Sequence, residues 1–177
     1  MSSCHNLKGQ ALNHFFIRFS CACLGIILLT AGPASAAEDD PSFLSLGIGY
    51  YDIFAEDEAA EFRIEYRNKT QFLIFKPFAG VAVTSEQAIF AYAGVLSDFY
   101  FGRRIVVQPS VAPGYYHKGG GKDLGHEFEI KSGLEIAYRM DDRSRIGIHF
   151  YHISNAGLED TKPGVEILGT SYSIPLN

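Results

Sequence analysis

The chain is poor in cysteine, lacks tryptophan and carries no excess of basic residues. All three cysteines lie within the first 23 residues, so the remainder can hold neither a disulfide nor a cysteine-ligated metal. The net charge of −5 removes the basic face that a nucleic-acid partner requires, and we expect no such partner. The longest apolar run covers about a dozen residues near the N-terminus, fewer than the ~20 residues of a membrane-spanning helix. A helical membrane protein is thereby excluded.

Residues 1–36 have the pattern of a secretory signal peptide. Lys8 and Arg18 supply its positive charge, the apolar run follows, and small residues precede a predicted cleavage site after Ala36. A lipoprotein signal at one of the leader cysteines is the alternative, although the residues before each cysteine fit lipid attachment poorly. We predict a signal peptide over residues 1–36 and a single exported domain over residues 37–177.

Most of the exported part alternates apolar and polar residues with a period of two, which separates them onto the two faces of a strand. Phe62, Ile64 and Tyr66, for example, alternate with glutamate and arginine. Residues typical of turns separate such segments. We predict eight strands, over residues 42–54, 60–67, 71–84, 88–102, 104–117, 127–138, 144–155 and 164–176.

Eight long strands with one apolar and one charged face can close in two ways. A soluble barrel or sandwich buries its apolar residues, whereas a membrane barrel turns them toward lipid and its charges toward the lumen. The predicted export, the strand length and the missing cysteines favour the second arrangement. We therefore expect an all-β, eight-stranded antiparallel transmembrane β-barrel of the outer membrane. Side chains fill the interior of a barrel of this size, so we expect no pore.

The last two predicted strands carry the residue types of a serine hydrolase at their adjoining ends. Alternation places His152 and Ser154 on the outward face of one strand and Glu166 on the outward face of the next. A histidine can act as general base toward a serine, and a carboxylate can orient the imidazole. Asn155 and the backbone at Gly157 follow directly and can donate hydrogen bonds to an oxyanion. The alternative interpretation is a polar turn flanked by an interfacial histidine and a loop carboxylate.

The same C-terminal stretch resembles a known family. The sequences YHISNAGL at 151–158, GVE at 164–166 and YSIPL at 172–176 resemble the lipid A 3-O-deacylases of the PagL family. The resemblance is close over this hairpin and limited to leader and strand pattern elsewhere. It implies an outer-membrane barrel of eight strands that hydrolyses the ester-linked acyl chain at position 3 of lipid A.

The resemblance also implies roles for individual residues. Ser154 would be the nucleophile, His152 its base and Glu166 the carboxylate that orients the base. Asn155 and the Gly157 backbone would bind the oxyanion, and no metal or other cofactor would be needed. Lipid A of lipopolysaccharide would be the partner, within the outer membrane, and the family resemblance alone also allows a homodimer.

Two other classes of function stay open from the residues alone. One is a small non-catalytic outer-membrane barrel acting in adhesion or envelope integrity, and the other is a soluble periplasmic barrel that binds a lipid. Outside the C-terminal hairpin, His149 is expected on the lumenal face as a structural hydrogen-bonding residue. Lys118, Lys122 and Lys162 are expected as solvated charges of outward loops, with contact to lipid A phosphates as the alternative.

Overall fold

The structure is a computed structural model and describes residues 40–54, 59–155 and 164–176. The predicted signal peptide lies outside these residues. Within the described ranges, no helix is long and apolar enough to cross a membrane. The strands of the described part are β1 (Ser42–Tyr51), β2 (Ala59–Arg67), β3 (Lys76–Thr84), β4 (Ile89–Leu96), β5 (Phe99–Phe101), β6 (Ile105–His117), β7 (Phe128–Arg139), β8 (Arg145–Ser154) and β9 (Val165–Leu176).

The strands form one antiparallel sheet that closes on itself. Its order is β4-β3-β2-β1-β9-β8-β7-β6-β5, and an additional pairing of β4 with β6 joins the two ends into a ring. The short β5 pairs with β6 in the same register as β4, so β4 and β5 together form one interrupted strand of the barrel. With β4 and β5 counted as one strand, the ring has eight strands, and the predicted eight-stranded antiparallel barrel is confirmed.

Three predicted strands differ from the observed ones for identifiable reasons. The strand predicted over 42–54 already ends at residue 51, because the next residue, Asp52, has a positive φ of 60°. The strand predicted over 88–102 is interrupted at Ser97 and Asp98, where Asp98 accepts a hydrogen bond from Lys76 Nζ at 2.8 Å. The strand predicted over 71–84 begins only at Lys76. Before it, the backbone groups of Phe72 and Phe75 bond each other at 2.9 and 3.0 Å, which closes a tight turn. The apolar run over residues 72–75 has the composition of a strand, and the prediction therefore included it.

The barrel has its apolar side chains outside and its charges inside. On β2, the glutamates and arginines are buried while the apolar residues between them are exposed. This sidedness confirms the membrane-barrel arrangement over the soluble one, because a soluble barrel would bury the apolar set. Outward-facing residues on the wall that carries the site include Ile136, Ile146, Ile148, Phe150, Leu168, Tyr172 and Ile174.

A network of ion pairs fills the interior. Glu65 accepts hydrogen bonds from Tyr92 and Lys131, each at 2.7 Å, and from Arg67 Nη2 at 2.8 Å. Arg67 also binds both oxygens of Glu135, at 3.0 and 2.8 Å. Buried charges are tolerated only when they are paired in this manner. The filled interior agrees with the expectation of a barrel without a pore.

Candidate active site

The site residues reach the outer wall through the alternation of β8. Ile146, Ile148 and Phe150 point outward, and continuing by two positions places His152 and Ser154 on the same face. Both lie at the end of the strand, where the apolar band finishes. The predicted placement of these two residues on the lipid-facing side is confirmed.

Inward side chains of β8 fix the strand from the barrel interior. His149 Nδ1 lies 3.2 Å from Arg63 Nη2, and the Tyr151 hydroxyl donates a hydrogen bond to Glu61. His149 is therefore the structural lumenal residue that the sequence predicted. Because Tyr151 directly precedes His152, the backbone that carries the candidate base is held against a packed interior.

His152 and Glu166 form a cross-strand pair. They are directly opposite each other in the β8–β9 register, and His152 Nδ1 lies 3.1 Å from Glu166 Oε1. Their side chains are 37% and 27% exposed, so the pair sits at the surface of the wall and is reachable from the membrane. A carboxylate accepts only, so Nδ1 carries the proton of this hydrogen bond. In the neutral imidazole the other ring nitrogen, Nε2, is then the acceptor, as a general base requires.

Gly164 controls where the imidazole ring lies. Continuing the β8–β9 register by one residue places Gly164 opposite Ser154. A Cβ built on Gly164 would lie 2.3 Å from His152 Cε1 and 2.9 Å from Nε2, so the ring occupies the space that a side chain here would need. The Nε2 edge of the ring is thus turned toward the level of Ser154. Among the described residues, however, Ser154 makes no hydrogen bond to His152.

The structure describes one of the two predicted oxyanion residues. Asn155 is buried, and its Nδ2 lies 3.5 Å from the carbonyl oxygen of Leu124 in the loop between β6 and β7. Gly157 lies outside the described residues. The structure therefore brings together His152 and Glu166, and sets Ser154 and Asn155 beside them along the same strand end.

Three residues near the site were not among the predicted site residues. Ser132 is exposed on β7 directly opposite His152 and interrupts the apolar outward set of that strand, a signal that the sequence did contain. Gly164 forms the surface under the ring. Lys122 was expected as a solvated charge, but its Nζ donates to Asp52 Oδ2 at 2.7 Å and to the Gly164 carbonyl at 3.2 Å. No local pattern reveals such a contact between distant segments.

A closed barrel with an apolar outer wall, and a polar histidine–glutamate pair on that wall, define an outer-membrane β-barrel protein with a lipid-facing site. A family model described as lipid A 3-O-deacylase (PagL) matches residues 26–175. The chain belongs to the lipid A 3-O-deacylase (PagL) family.

Individual relatives are more distant. Lipid A deacylase PagL of Bordetella bronchiseptica is 29% identical over 52 residues, a stretch that spans 29% of this chain and 29% of that protein. The crystal structure of the outer membrane enzyme PagL is similar with a TM-score of 0.60 at 16% identity, covering 76% of this chain and 99% of that chain. A structure from the de novo design of transmembrane β-barrels reaches 0.54 at 9% identity, with coverages of 76% and 95%. At such low identities these structural likenesses show the fold.

Proposed function

We propose that this protein is a serine esterase of the outer membrane that removes the 3-O-linked acyl chain of lipid A. The observation that carries the proposal is the 3.1 Å His152–Glu166 hydrogen bond on the lipid-facing wall, beside Ser154, in a chain of this family. Polar residues facing lipid are unfavourable and are kept mainly where they serve a function. A signal peptide over residues 1–36, removed before insertion, is part of the proposal.

The proposed reaction uses each residue in one role. Ser154 Oγ attacks the ester carbonyl carbon while His152 Nε2 takes its proton and Glu166 stabilises the imidazolium. The Asn155 amide and the Gly157 backbone N–H donate hydrogen bonds to the oxyanion of the tetrahedral intermediate. His152 then returns the proton to the sugar oxygen, which leaves as a free hydroxyl. Water, activated by the same histidine, hydrolyses the acyl-enzyme and releases the 3-hydroxy fatty acid.

The position of the site suits a substrate that is itself a membrane lipid. With both chain termini in the periplasm, β8 runs outward, and its end meets the outer leaflet, where lipopolysaccharide resides. Phe150 and Leu168, an exposed apolar cross-strand pair, lie directly below the His152–Glu166 pair on the same wall. They offer an apolar surface for an acyl chain that arrives by lateral diffusion. The filled barrel interior then has no part in substrate entry.

The test is the lipid A mass spectrum of cells with and without the expressed protein. We expect the loss of one hydroxyacyl mass with the unchanged chain and no loss with Ser154→Ala. Thr170→Ala is the matched control, because Thr170 is also an exposed outward hydroxyl but lies four residues away from Glu166 on β9. All three proteins should be heat-modifiable on gels, which reports a folded barrel. Full deacylation by the Ser154→Ala protein would refute the proposed mechanism.

A further inference from the structure

The loop between β6 and β7, residues 118–127, contacts the site through two residues in its middle. Lys122 reaches the residue beneath the His152 ring, and Leu124 reaches Asn155. We propose that Lys122 is a positioning residue: its ion pair with Asp52 and its hydrogen bond to Gly164 hold the His152–Glu166 pair in its reactive arrangement. The inference rests on the proposed esterase function and adds a residue to it.

The Lys122 ammonium joins three segments that are far apart in the chain. Its Nζ lies 2.7 Å from Asp52 Oδ2, just past the end of β1, and 3.2 Å from the carbonyl oxygen of Gly164, just before β9. The Asp52 side chain is 1% exposed and that of Lys122 22% exposed. An ion pair shielded in this manner holds its geometry better than a solvated surface pair, which contributes little.

The joined segments are those that carry the catalytic pair. The backbone N–H of Ile53, next to Asp52, donates to the backbone carbonyl of Glu166 at 3.2 Å. Gly164, held by Lys122, supplies the surface against which the His152 ring lies. The start of β9 is therefore fixed from two directions, and both contacts depend on the position of the Asp52 turn.

The backbone of Lys122 is itself anchored to the barrel. The Tyr116 hydroxyl donates to the Lys122 carbonyl at 2.8 Å, and the Tyr51 hydroxyl lies 2.9 Å from that of Tyr116. Both tyrosines are buried inside the barrel mouth. The ammonium therefore extends from a fixed base, as a positioning group must, and does not hang from a free loop.

Lys118, in the same loop, is a lysine that forms an ion pair without contacting the site, and it serves as the comparison for Lys122. Its Nζ pairs with Asp123 Oδ2 at 2.7 Å, but both side chains are more than half exposed and neither contacts the site. The hydrogen bond from Lys118 lowers the pKa of the Asp123 carboxyl. Among the described residues, the pair makes no contact with β9. Removing the charge of Lys118 changes the net charge of the loop by the same amount as removing that of Lys122.

The experiment compares Lys122→Met, Lys122→Arg and Lys118→Met in the full-length protein, with release of 3-hydroxy fatty acid from lipid A micelles as the assay. We expect Lys122→Met to lower kcat about tenfold with KM unchanged, because a small displacement of the catalytic pair slows chemistry without removing a substrate contact. Lys122→Arg should recover most of the rate, and Lys118→Met should retain it. The His152 imidazole NMR signal should shift in Lys122→Met alone.

Three results would overturn the positioning role: full kcat in Lys122→Met, an increase in KM alone, or equal losses in Lys118→Met. The second would place Lys122 in direct contact with substrate phosphates. Should Lys122→Met fail to fold because Asp52 is left buried and unpaired, the double variant with Asp52→Asn removes both charges and should fold with reduced kcat. Ser154→Ala is assayed alongside, because its activity would overturn the esterase mechanism itself.

Discussion

Gly164 offers a sharp test of the site, because replacing it with alanine introduces a single methyl group. That Cβ would lie 2.3 Å from His152 Cε1, whereas two carbon atoms pack at about 3.5 Å. The ring must therefore retreat by about 1 Å. The His152–Glu166 hydrogen bond is already 3.1 Å long, near the upper end of the normal range, so this retreat breaks it.

The expected loss follows from that displacement. A misplacement of about 1 Å costs about a hundredfold in rate, which corresponds to about 2.7 kcal/mol of transition-state stabilisation. The backbone of Gly164 is not in the left-handed region, so alanine introduces no conformational strain of its own. Stability of the barrel should therefore be retained while kcat falls.

The assay is the rate of 3-hydroxy fatty acid release by purified Gly164→Ala, with heat-modifiability as the measure of folding and Thr170→Ala as the control. An active Gly164→Ala protein, with a rate within twofold or so of the unchanged chain, would refute the assignment of His152 as the base in this position. A loss of activity together with loss of the folded form would instead indicate a structural role for Gly164.

Two further predictions concern the interior and the loop. Glu65→Gln leaves buried cations of the network short of a negative partner, so we expect the free energy of unfolding to fall by about 3 kcal/mol in urea titrations, with exposed Glu86→Gln as an unaffected control. For Asp123, an NMR pH titration should give a midpoint below the ordinary value of 3.8, and Lys118→Met should raise it. The stabilisation by this pair is thus present above the ordinary pKa and lost as the pH falls through the lowered one. An Asp123 midpoint at or above 3.8 would contradict the pairing.

The fold was largely predictable because the barrel wall is a local pattern repeated around a ring. In each strand, the alternation of residue types indicates which face is buried, as in β2 with its buried glutamates and exposed aromatics. The errors arose where local pattern and tertiary contact disagree. Phe72 and Phe75 are apolar but close a turn, and the strand is interrupted where Asp98 accepts a hydrogen bond from Lys76 on the neighbouring strand β3.

The residues of the site also differ in whether strand pattern or tertiary contact determines their position. The shared location of His152, Ser154 and Glu166 was predictable because two neighbouring strands and one face suffice to bring them to one place. Lys122 was not, because its partner Asp52 lies 70 residues away in the sequence, beyond the reach of strand pattern. Side-chain contacts between loops form only once the barrel has closed, and closure depends on all eight strands together.

The location of the His152–Glu166 pair on the outer wall has a consequence for the kinetics of the proposed enzyme. A site that faces lipid encounters substrate at the mole fraction it has in the bilayer surface, and not at its bulk concentration. Inert phospholipid added to the same membrane dilutes lipid A in two dimensions and slows turnover, although the amount of lipid A per volume is unchanged. The released fatty acid enters the same surface and competes there for the apolar strip of Phe150 and Leu168.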